Sequence, residues 1–128
     1  MSRLRNFDLV KAGGVLLAIS LAATGCKKSA SPAVLTPEQV PGAVENAFKE
    51  ASPEIKDLAN AVVTSLQNKE EPKAFDALQN LSNRPDLTPE QREAAMRAVI
   101  ALNFQLAAAA AKGDKSAEEM LEKYRATK

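Results

Sequence analysis

Few side chains in this 128-residue chain could do chemistry, and their types limit what that chemistry would be. Cys26 is the single thiol, and there is no histidine. A thiolate nucleophile wants a neighbouring base, and the usual one is missing. A disulfide needs a second cysteine, which the chain does not supply. Zinc sites are built from imidazole and thiolate ligands, and one cysteine without histidine cannot furnish them. What remains is carboxylate chemistry, at Glu70-Glu71, Glu90/Glu93 and Glu118/Glu119/Glu122. Two carboxylates held at a fixed separation in a cleft can hydrolyse glycosides. Each group here falls beside Lys or Arg on the polar face of an expected helix, where a solvated ion pair is the ordinary outcome. No catalytic residue, metal site or cofactor is therefore expected, and carboxylate-dependent hydrolysis of cell-wall glycans stands as the enzymatic alternative. Gly-rich phosphate loops, calcium loops and aromatic-rich basic patches are absent from the sequence.

The surroundings of Cys26 point elsewhere. Met1 to Lys11 carries Arg3, Arg5 and Lys11 against Asp8, and no charge occurs from Ala12 to Cys26. The core of that stretch, Val15 to Ala22, is strongly apolar. A basic leader, a short apolar core and a small-residue exit make the layout of a secretory signal peptide. The core falls short of the ~20 residues that a membrane-spanning helix needs. The exit, Ala22-Ala23-Thr24-Gly25-Cys26, resembles the bacterial lipobox. That resemblance implies a diacylglyceryl group on the Cys26 thiol, cleavage between Gly25 and Cys26, and acylation of the new amino terminus. Several acyl chains on one residue exceed what stable anchoring requires, at ~0.8 kcal/mol per buried CH₂. By resemblance to enteric lipoproteins, Lys27 after the cysteine directs the protein to the outer membrane. Lys28-Ser29 resembles an inner-membrane retention signal of other bacteria. The outer membrane is the expectation, with the remainder of the chain outside the cytoplasm.

Residues 1–25 then form the signal peptide, 26–35 the lipidated cysteine and tether, and 36–128 a helical domain. The leader takes three of the 17 basic residues and one of the 16 acidic, which leaves a mature part close to neutral. Such a surface does not suit nucleic acid as a partner. "KKSASPAVL", Lys27 to Leu35, has the composition of a solvated linker.

The elements beyond it follow from composition and punctuation. Hydrophobic residues make up 45% of the chain, many of them alanine, while β-branched residues never alternate as in strands. Thr36-Pro37-Glu38-Gln39 is a cap, a first-turn proline and a box residue, with Pro41 set to delay the helix proper. Val40, Ala43, Val44, Ala47, Phe48 and Ala51 form its apolar stripe. Ser52-Pro53-Glu54 opens a second helix with Ile55, Leu58, Ala59, Val62 and Leu66 inward. "NKEEP" breaks it, and a third helix over Lys73–Leu81 places Ala74, Phe75, Leu78 and Leu81 inward. Thr88-Pro89-Glu90-Gln91 opens the longest helix, through Met96, Val99, Ile100, Leu102, Phe104 and Leu106 to about Lys112. Gly113 stops it. Asp114 or Ser116 caps a last helix carrying Ala117, Met120, Leu121 and Tyr124. Short connections make antiparallel neighbours, so the expected fold is all-α, about five helices in a bundle or hairpin array.

Two resemblances bear on the mature part. "LTPEQ" occurs at Leu35–Gln39 and again at Leu87–Gln91, 52 residues on. The pair resembles the LTxxQ motifs of the Spy/CpxP family, which implies periplasmic chaperoning or an envelope-stress role. The same pentapeptide is also a complete helix-start device, with staple, cap, first-turn proline and box residue. "LQNKEEPKAFDALQNL" is similar to the turn and second helix of a tetratricopeptide repeat, which implies a helical hairpin. The run Ala107–Ala111 either lets another helix approach closely or simply propagates its own. The favoured function is non-catalytic binding or scaffolding of another envelope protein, anchored to the lipid bilayer through acylated Cys26.

Overall fold

The computed structural model describes residues 33–128, and all that follows concerns them. They form a 3₁₀ turn, Pro37–Gln39, and five α-helices: α1 Val40–Phe48, α2 Pro53–Gln67, α3 Glu71–Ser82, α4 Pro89–Ala111 and α5 Lys115–Ala126. No strand occurs among the described residues, so the fold is all-α as expected. The longest helix is the hub. α4 packs against α1, α3 and α5, while α2 packs on α1 and α3.

Local chemistry explains the boundaries. At the second "LTPEQ", the N–H of Thr88 donates to Gln91 Oε1 at 3.0 Å and the N–H of Gln91 donates to Thr88 Oγ1 at 3.2 Å. This capping box satisfies two donors that a helix start leaves unpaired. The Arg92 N–H then reaches the Thr88 carbonyl at 2.9 Å, and α4 proceeds with α spacing from its first turn. The first "LTPEQ" has its box too, with the Thr36 N–H donating to Gln39 Oε1 at 3.0 Å. There the chain makes a 3₁₀ turn first. Pro41 has no N–H to give the Pro37 carbonyl, and that carbonyl takes the Val40 N–H instead.

The helix ends are equally specific. Past α4, the N–H groups of Gly113 and Asp114 bond back to Ala110 and Ala109 at 2.9 and 3.1 Å, with Gly113 at φ +93°. Past α2, Lys69 and Glu70 make the same pair of bonds to Leu66 and Ser65, at 3.0 and 2.8 Å. Lys69 adopts φ +58° to do so, a left-handed conformation that glycine enters without strain. The three residues between α2 and α3 thus close a helical hairpin.

The core runs through all five helices. Val44 and Phe48 of α1, Ile55 and Val62 of α2, Phe75, Leu78 and Leu81 of α3, and Leu102 and Leu106 of α4 are buried together. Leu121 of α5 closes one end, and Tyr124 meets Phe75 edge to face at 5.2 Å between ring centres.

Two details differ from the sequence reading, and two points that it left open are decided. α3 begins at Glu71, inside "NKEEP", because Pro72 falls in its first turn, where its missing N–H costs nothing. Asp114, not Ser116, caps α5, accepting the N–H groups of Ser116 and Ala117 at 3.0 and 3.2 Å. On α2, Val63 is buried while Leu58 and Leu66 are only half-buried. The more consequential of the open points is the orientation of α4. Its buried face consists of Gln91, Ala95, Ala98, Ala101, Leu102 and Leu106, whereas Met96, Ile100 and Phe104 point outward.

Candidate functional site

The expected chemistry-bearing residues can now be placed. Cys26 and Gly25 lie outside the described residues. The carboxylates do not converge. Glu71, Glu90 and Glu118 stand in the first turns of α3, α4 and α5, Glu70 just precedes α3, and Glu93, Glu119 and Glu122 lie further along α4 and α5. Negative charge at a helix N-terminus complements the exposed N–H groups and the dipole, so the first-turn member of each cluster has a structural reason to be where it is. Glu70 also pairs with Lys73 at 3.4 Å, both exposed, and Glu71 accepts the Gln105 amide at 3.3 Å. No group of carboxylates suited to hold a metal ion occurs among the described residues.

The described groups with displaced acidity sit on the surface. Arg84 grips Asp86 with two hydrogen bonds of 3.0 Å and reaches Glu54 at 3.2 Å. The guanidinium hydrogen bonds hold the Asp86 carboxyl below its ordinary value and raise Arg84 in turn. Glu38 is lowered by its backbone hydrogen bond and then by Thr36. These groups fix the loop before α4 and the chain before α1; they do not enclose a cleft.

The feature without a structural explanation is the outer face of α4. Met96, Ile100 and Phe104 are spaced by four residues and so stand in one row along the helix. They are 57%, 45% and 67% exposed, which is unusual for side chains of this size in a helix with a filled inner face. Glu93, Ala107 and Ala111 continue the row, all exposed. An open groove of about 510 Å³ runs along one side, lined by Leu87, Pro89, Arg97 and Ile100 among others. A second, of about 300 Å³, brings Arg92, Tyr124 and Lys128 up to Met96 and Ile100.

The chain before α1 meets this face. Arg97 donates from Nη2 and Nε to the Ala33 carbonyl, at 2.7 and 3.2 Å. Val34 beside it is 69% exposed. Val34, Met96, Ile100 and Phe104 are the large hydrophobic residues that the described part leaves open to solvent, and all lie on α4 or at the segment tied to it.

Sequence reading places Met96, Ile100 and Phe104 on this helix without giving them a face, and it gives Arg97 no role. A signal was present: a helix apolar all round has more apolar face than one core contact can cover. A further, more polar groove of about 360 Å³ lies between α3 and α5, where Gln79 Nε2 is buried without a hydrogen-bond partner. Comparison with known proteins finds no matching family model, no matching curated relative and no matching solved structure.

Proposed function

We propose that this chain is a small cell-envelope lipoprotein whose helical domain binds another envelope component without catalysis. Cleavage between Gly25 and Cys26 and acylation of Cys26 tie it to the bilayer, with the outer membrane favoured by Lys27. The observation that carries the binding role is the row Met96–Ile100–Phe104, exposed on a helix whose opposite face is already buried. Exposed apolar patches with a polar rim mark interaction surfaces in folded proteins. A non-catalytic role is supported by a chain without histidine and by carboxylates spread over three separate helices.

The test is the intact mass of the protein extracted from native membranes, beside a Cys26→Ser variant. The expected mass is that of residues 26–128 carrying a diacylglyceryl group and an amide-linked acyl chain, with acyl labelling lost in the variant. An unlipidated mass, or unchanged membrane attachment of Cys26→Ser, overturns the anchor.

A further inference from the structure

We propose that the component covering the outer face of α4 is the bilayer itself, so that the domain lies on the membrane along Met96, Ile100 and Phe104 and does not stand away from it. The proposal rests on the lipid anchor at Cys26 and specifies how the anchored domain is oriented. Three observations converge on it. Arg97, on the flank of the row, holds the Ala33 carbonyl, which sets the point from which the chain runs back to Cys26. Six residues, Lys27 to Pro32, lie between, and fully extended they carry the domain no more than about 25 Å from the anchor. The face beside that point is also where Val34, Met96, Ile100 and Phe104 are exposed together.

The rim has the chemistry of a headgroup layer. Arg92 and Lys128 flank the row on one side and Arg97 on the other, while the larger groove has one acidic residue in its lining, Glu93, and the smaller has none. Long cationic side chains can lay their stems along the apolar row and keep their charges among phosphates. Three large apolar side chains would hold a free protein only weakly at a membrane. An anchored domain faces the surface at high effective concentration, so weak insertion becomes an intramolecular step. A second copy or a partner helix could cover the row by area, but neither accounts for its place beside the entry of the tether.

The test uses the full lipoprotein purified from native membranes. With Cys26 acylated, Ile100→Cys, Phe104→Cys and a control, Asn60→Cys on the exposed side of α2, each present one free thiol for an environment-sensitive fluorophore. Each is reconstituted at low density into phosphatidylethanolamine–phosphatidylglycerol vesicles containing a nitroxide lipid. The expected result is a blue-shifted label quenched several-fold more strongly at 100 and 104 than at 60. Equal quenching at the three positions overturns the proposal, whatever the state of Cys26. So does a label at 100 or 104 that is blue-shifted in the vesicles yet no more quenched by the nitroxide lipid than the one at 60, which marks a second copy or a bound protein. A second labelled thiol at Cys26 in the mass spectrum overturns the anchor, and this orientation with it. Mass thus reads the anchor and quenching reads the face.

Discussion

The two sides of α4 are made from the same chemical repertoire and meet opposite fates. On the inner side Ala95, Ala98 and Ala101 are buried with Leu102 and Leu106, while on the outer side Met96, Ile100 and Phe104 are exposed. Three of the five inner residues are alanine, whereas all three outer ones are large. The reason is geometric: α4 has α1, α3 and α5 against it, and small side chains let those neighbours come close. Alanine therefore serves the inner side through proximity, and bulk on the outer side is free for another surface. Hydrophobicity alone does not say which side of such a helix is the core.

The sharpest way to break that contrast is to truncate one residue on each side. Leu102→Ala opens a cavity in a fully buried site and should cost about 2–5 kcal/mol, read from the urea midpoint. The helix start comes next, because it positions both faces. Thr88→Ala removes the hydroxyl that accepts the Gln91 N–H and should cost about 1 kcal/mol. Thr36→Ala should cost less, since the Gln39 N–H already has the Thr36 carbonyl at 3.0 Å. The smallest change is expected at Phe104→Ser, within about 0.5 kcal/mol of the parent by the same urea assay. A large loss there would mean that the outer side is part of the fold and would remove the basis of the proposed surface.

Legibility followed the range of the interaction. Ala74, Phe75, Leu78 and Leu81 were expected inward on α3 and are all buried, because a helix with one apolar stripe has one way to face a core. The delay at Pro41 was legible for a still more local reason, a missing N–H four residues beyond Pro37. Met96, Ile100 and Phe104 could not be given a face from sequence because α4 offers apolar residues on every side. Arg97 was overlooked because its partner is a backbone carbonyl 64 residues away, which no spacing rule reaches.

The amino-acid sequence by itself determined where helices begin and end and which residue types fill them. Caps, prolines and stop signals act within a turn or two of chain, and their physics needs no neighbour. Only the tertiary structure decided which arc of α4 is core and which is surface. That choice depends on how closely α1, α3 and α5 can approach a row of alanines, a property of packed helices and not of any one of them.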